Sequence, residues 1–185
     1  FAIFYRTNAL SLNFETAFRS AGIPYQLIHS VEFFQRSEIK DVVAYLQILM
    51  NEKNSVAFNR IINRPTRGIG NTTVRRINEY ALERGLSPLQ AAREVDQIET
   101  INKRSSAAVK KFIDFYEQTC AHVHSSVEEI LGFVLSLSGY QDHLKNSIAE
   151  ADQSRLANVE ELLSVARQFD EKYNGNEGLE MFLEE

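Results

Sequence analysis

Apolar positions recur three and four residues apart along most of this chain, and only near its start does the spacing tighten. Ala2 to Tyr5 is a short apolar run ending in Arg6-Thr7-Asn8, which predicts a buried strand with a polar tip at its carboxyl end. Ser11 to Ala21 has helical period, with Phe14, Ala17, Phe18 and Ala21 on one side and Gly22 as the stop. Pro24 blocks that helix from continuing, so Tyr25 to Ile28 is predicted as a second strand. Strand, helix and strand begin an α/β layer that has too few strands to be complete. The chain opens in what reads as mid-strand, which predicts a piece of a longer protein.

From Ser37 onward the reading is almost wholly helical. The first helix turns Ile39, Val42, Val43, Leu46 and Leu49 or Met50 inward. Phe58, Ile61 and Ile62 predict a short helix that Pro65 ends, and Thr73 to Glu83 predicts the next, closed by Gly85. Ser87-Pro88 is a cap followed by proline at the first helical position, opening a helix through Ala92. Ser105 to His122 carries Val109, Phe112, Ile113 and Tyr116 on one stripe; Ser126 with Glu129 fits a capping box for a helix to about Leu137. Gln141 to Lys145 predicts a short turn of helix, and Arg155 to Tyr173 a regular one. Asn174 to Gly178 reads as a loop before a last start at Leu179 to Leu183. The composition shifts near Leu49 to Asn54, where we place a boundary between an α/β part and a helical part.

The 185 residues carry enough apolar content for a core, no run long enough to span a bilayer, and no secretion signal. A single cysteine, Cys120, excludes an internal disulfide framework and fits a reducing, cytoplasmic setting. The formal charge of -5 argues against a globally basic nucleic-acid binder. A local basic patch can still act, because charges beyond roughly 8 Å are screened at physiological salt.

Such a patch exists. Arg60 to Arg76, RIINRPTRGIGNTTVRR, packs five arginines around a Gly-Ile-Gly turn, and Ser55 to Asn78 holds no Asp or Glu. Gly68 and Gly70 allow close backbone approach to a phosphate or positive φ. Asn71, Thr72 or Thr73 can cap a following helix whose first N–H groups point at the same place. Arg64 and Arg67 supply charge around it. An interhelical turn whose arginines form an ordinary solvated face is the competing reading.

Arg6 and Asn8, beside Tyr5 at the end of the first strand, are candidates for a phosphate or base edge. Phe33, Phe34 and Arg36 could stack or contact phosphate; the favoured reading puts the phenylalanines in the core and uses Lys40 with Asp41 to fix the helix start. His122-x-His124 beside Cys120 lacks a nearby carboxylate pattern and is not read as a metal site. No Gly-rich Lys-Ser or Lys-Thr loop occurs, and no Ser-His-Asp arrangement is credible, so catalysis within this chain is not expected.

FYRTNALSLNFETAF, GIPYQLIHSVEFFQRSEIKDVVAYL, IINRPTRGIGNTTV, LSGYQDHL and SRLANVEELLSVARQF, in that order, resemble the UvrD/Rep/PcrA family of superfamily 1 DNA helicases, the PcrA branch most closely. The resemblance covers essentially the whole chain. It implies a mainly α fold, a helical inserted domain attached to a partial α/β RecA-like motor domain: residues 1–50 in the second motor domain, 51–178 inserted, 179–185 returning to the motor. It places Arg6 and Asn8 on a single-strand DNA track. It places Arg67, Gly68 and Gly70 in a helix-hairpin-helix-like element that touches duplex ahead of the fork, with Ile69 anchoring the turn in the core. Thr72 and Thr73 join that element as additional phosphate contacts, and Arg64 is counted with the DNA-binding residues for the charge it supplies.

The parent implied is an ATP-dependent 3′ to 5′ DNA helicase using ATP and Mg2+, acting on single-strand/duplex junctions with repair or replication proteins and without a membrane. This chain alone is expected to hold no cofactor. A helical regulatory or protein-interaction module without direct DNA binding is the alternative. Two departures stand out: Leu12 where the family usually has Arg, and His29-Ser30 where it usually has Gly-Gly.

Overall fold

The computed structural model describes residues 1–6, 10–27, 32–173 and 178–184. Ten α-helices follow one another among them: α1 (Ser11–Ser20), α2 (Ser37–Met50), α3 (Ser55–Ile61), α4 (Asn71–Arg84), α5 (Pro88–Arg93), α6 (Lys103–Cys120), α7 (Val127–Leu137), α8 (Tyr140–Lys145), α9 (Glu150–Tyr173) and α10 (Gly178–Glu184). Short 3-10 turns occur at Phe33–Gln35 and Val95–Gln97.

The chain is mainly α, as the periodicity predicts. The two expected strands do not form: among the described residues Ala2 to Tyr5 and Tyr25 to Gln26-Leu27 have no regular secondary structure, and Ile28 lies outside them. A strand exists only through its ladder of cross-strand hydrogen bonds, and neither run meets such a partner here. Phe1, Ile3, Phe4 and Ile23 are accordingly exposed.

α2 lies at the centre of the helical body. Ile39, Val42 and Leu46 are fully buried, and the helix packs against α3, α6, α7, α9 and α10. A division near residues 49–54 would therefore cut through the contact between α2 and α3. α10 also rests on α2 and α7, with Leu179 buried. One continuous core runs from Leu12 and Phe33 to Leu179.

The apolar stripe of α1 faces its flanking segments: Phe14 stacks on Tyr5 at 6.1 Å and Phe18 on Tyr25 at 5.8 Å. Its fully buried residues are instead Ser11, Leu12 and Glu15. Leu12 thus contributes to the core.

Ser11 and Glu15 enter a buried polar network that joins α1 to the helical body. Arg36 Nη2 donates to Ser11 Oγ at 2.6 Å, and its Nη1 donates to Asn158 Oδ1 of α9 at 2.8 Å. Asn158 Nδ2 donates to Glu38 Oε1 at 2.5 Å, while Ser11 Oγ and the Phe33 amide donate to Glu15. Arg36 also lies over the Phe33 ring, 5.2 Å from its centroid. Arg36 is thus a buried tie between elements. Phe33 joins the core, but Phe34 remains 40% exposed and packs edge-on against it.

Several helix starts are written in capping side chains. Ser87 with Gln90 and Ser126 with Glu129 both form complete capping boxes. Asn102 caps α6, starting it two residues before the expected Ser105. α9 begins at Glu150, five residues before its apolar stripe makes it recognisable.

Candidate nucleic-acid interface

Local chemistry builds the turn between α3 and α4 from beneath. Asn63 Oδ1 accepts from the amides of Arg67 at 2.7 Å and Ile69 at 3.1 Å, closing the loop over a single side chain. This is the local bonding that makes asparagine a turn residue. Ile69 is buried and anchors the bend. Gly68 has φ +77°, a left-handed conformation that a Cβ would strain.

Arg67, expected at the DNA contact, is half-buried and turns its guanidinium inward onto the turn it belongs to. Its Nη1 donates to the carbonyls of Ile61 at 3.0 Å, Arg64 at 2.6 Å and Pro65 at 3.2 Å. Its Nη2 donates to Tyr45 Oη at 2.7 Å and to the Ser138 carbonyl at 3.1 Å. The guanidinium also sits 5.5 Å from the Phe112 ring centroid. The reason is geometric: the turn leaves several carbonyls converging on one point, and the planar fork of arginine satisfies them together. Tyr45 Oη in turn donates to the Arg64 carbonyl. Burial pushes the Tyr45 phenol above its usual range, against the lowering effect of Arg67.

The other arginines divide. Arg60 Nη2 donates to the Ser37 carbonyl at 3.0 Å and its Nε lies 2.7 Å from Asp41 Oδ1. Arg76 donates to the Thr100 carbonyl, and Arg75 faces Glu79 one turn along at 3.6 Å. Arg64 is exposed, and among the described residues its guanidinium has no hydrogen-bond or ion-pair partner.

α4 opens directly above this platform. Gly70, not Asn71, Thr72 or Thr73, is the N-cap, and no side chain caps the helix. The Thr73 and Val74 amides bond back to the Gly70 carbonyl, which leaves the Asn71 and Thr72 amides leading the helix. Gly70, Asn71 and Thr72 are exposed, whereas Thr73 is buried and therefore turned from solvent. The first residues of this 14-residue helix, at its positive end, are thus exposed and without a side-chain cap. Arg64, Gly68, Gly70 and Thr72 are each exposed along the turn and the first residues of α4. Arg6 is exposed on the separate N-terminal segment, and Asn8 and His29-Ser30 lie outside the described residues.

Asn63, Tyr45 and Ser138 were missed by the sequence reading. Asn63, two residues before proline in a turn, carried a local signal; Tyr45 and Ser138 are distant in sequence and carried none. Asp41 is structural as expected, accepting from Tyr140 Oη at 3.1 Å as well as facing Arg60. His122 stacks on Phe133, their ring centroids 3.9 Å apart. Among the described residues no group of three His, Cys, Asp or Glu is placed to hold a metal ion, and no helix is long and apolar enough to cross a membrane.

The helical body thus presents an exposed, glycine-led helix start without a side-chain cap, next to a turn that half-buried Arg67 holds from within. The family described as UvrD-like helicase C-terminal domain matches residues 1–185, and the chain belongs to it. Among its relatives, the ATP-dependent DNA helicase PcrA of Leuconostoc citreum is 36% identical over 94% of this chain and 23% of its own length. The PcrA of Bacillus subtilis is 37% identical over 92% of this chain and 23% of its own. The ATP-dependent DNA helicase UvrD1 of Mycobacterium bovis is 35% identical over 91% and 22%. The chain therefore spans less than a quarter of the length of these relatives.

Proposed function

We propose that this chain is the duplex-contacting part of an ATP-dependent 3′ to 5′ DNA helicase, together with an adjoining piece of its second RecA-like motor domain. The observation that carries the DNA contact is the exposed start of α4, where Gly70 occupies the N-cap without a side-chain cap. Phosphate would sit against the Asn71 and Thr72 amides, with Gly68 and Gly70 permitting approach and Arg64 adding charge. Arg67 serves the contact indirectly by holding the turn. Arg6, with Asn8, would belong to the single-strand track.

The continuous packing of α2 with α3 and α9 favours starting the helical domain near Ser37 instead of residue 51. Residues 1–36 then form the motor piece, whose exposed apolar side chains suit the missing strands. The packing of α10 on α2 and α7 favours keeping it in the helical domain, in place of a return to the motor at 179. ATP and Mg2+ would be bound by the full-length protein, in the cytoplasm, and repair or replication proteins would be its partners. A helical protein-interaction module is the second reading, favoured by Val56 and Leu82, which are 79% and 85% exposed on α3 and α4.

Fluorescence anisotropy with a tailed duplex tests the DNA reading. A side chain at Gly70 meets no atom within 4 Å, and its φ of -76° is ordinary, so Gly70→Val should fold normally. It should weaken binding by a similar factor on unrelated sequences, because phosphate contacts position without specifying. Unchanged binding by the folded variant would remove the helix end from the interface.

A further inference from the structure

We propose that a cavity on the flank of the arginine turn is a second seat for a nucleic-acid backbone phosphate, with Arg64 and Arg155 as its principal donors. This rests on the DNA reading above and extends it to α9. The cavity, about 210 Å³, is walled by Arg60 of α3, Arg64 and Thr66 of the turn, His143 of α8 and Arg155 of α9, over Ser37 at the start of α2.

Two carboxylates, Asp41 and Asp152, also line it, and both are engaged by their neighbours. Asp41 faces Arg60 through Oδ1 and accepts from Tyr140 through Oδ2. Asp152 accepts from Arg155 Nη1 at 2.7 Å through Oδ1 and from Ser147 Oγ at 2.6 Å through Oδ2. Three guanidinium groups against two carboxylates leave one positive charge uncompensated, and Arg64 is the group without a partner among the described residues.

Arg155 spends one nitrogen on Asp152, and its side chain is 48% exposed. The rest of its fork remains to meet an anion. The Thr66 hydroxyl and the His143 ring add hydrogen-bonding capacity. Such a set of directional donors matches the several oxygens of a phosphate.

The cavity and the α4 helix end are linked by the same turn. Thr66 and Asn71 are five residues apart, so at an extended reach of about 3.5 Å per residue they lie within about 18 Å. That is a span of a few nucleotides, and one DNA strand or duplex can engage both seats.

The test is the salt dependence of tailed-duplex binding by the 185-residue chain and its Arg155→Gln, Arg155→Lys and Gly70→Val variants, with folding checked by circular dichroism. Arg155→Gln should weaken binding on every sequence and lower the slope of log affinity against log salt by roughly 0.9, the loss of one duplex phosphate contact. Arg155→Lys should retain most of the slope. If Gly70→Val weakens binding while Arg155→Gln leaves affinity and slope unchanged, the cavity is not a phosphate seat and the helix-end contact stands. If the unsubstituted chain does not bind the tailed duplex, both readings fall. A polyglutamate peptide whose binding depends on Arg155 while DNA binding does not would assign the cavity to an acidic protein and overturn the proposal.

Discussion

Arg67 shows how an arginine in a basic turn can be spent on holding the turn itself. Its positive charge could be kept by lysine, but its simultaneous bonds to the Ile61, Arg64 and Ser138 carbonyls and to Tyr45 Oη could not. An ammonium has three donors on a flexible stem, and no planar fork. Arg67→Lys should therefore destabilise the fold by about 2–4 kcal/mol, the range for a broken internal hydrogen-bond network. Urea denaturation measures this. A lysine variant with wild-type stability and altered DNA affinity would instead return Arg67 to the phosphate surface. Gly68 is the complementary case: its φ of +77° makes a side chain costly although space for Cβ is open. Gly68→Ala should cost about 1–2 kcal/mol through backbone strain alone, with a corresponding shift in the urea midpoint.

Among the elements, the buried network of Arg36, Glu15, Glu38 and Asn158 bears most on how α1 attaches. Burial lowers the Arg36 pKa, and the nearby Glu15 and Glu38 charges oppose that effect. Replacing Arg36 with Met removes the cation but leaves two buried carboxylates without it, so Arg36→Met should cost about 3–5 kcal/mol. A urea midpoint equal to that of the unsubstituted chain would show that the network does not hold α1 in place. This network also marks where sequence reading stops. Periodicity exposes α2, α6 and α7 because each buries one stripe, and paired capping residues show the start of α5 and α7. The first turns of α9 are polar and therefore silent. Its Asn158 meets Arg36 across 122 positions, a pairing no local pattern encodes. The expected strands were read from apolar runs alone, but strand formation needs a neighbour that a single run cannot supply. The glycine turn was visible as chemistry, whereas the inward aim of Arg67 depended on Tyr45 of α2 and Ser138 just after α7.

For the molecule as a whole, ionisable groups set limits to stability on both sides of neutrality. The Lys110 bond holds Asp96 below the usual carboxylate range, the Arg167 bond does so for Glu128, and the bonds from Ser147 and Arg155 do so for Asp152. On acidification the unfolded chain takes up these protons first, near the ordinary carboxylate values of about 4. Their contribution is present above that range and is lost as pH falls through the depressed folded values. The alkaline side has the opposite origin. Burial raises the Tyr45 and Tyr140 phenols, Asp41 adding to the effect on Tyr140. Above about pH 10 these tyrosines ionise more readily in the unfolded chain, so their contribution declines as pH rises through the elevated folded values. The urea midpoint should consequently fall below about pH 5 and again above about pH 10. Asp152→Asn should make the acid limb shallower without moving the alkaline one, since its partners lie on the surface by α8 and α9. A midpoint that rises on acidification from neutrality would mean that other groups outweigh these three carboxylates.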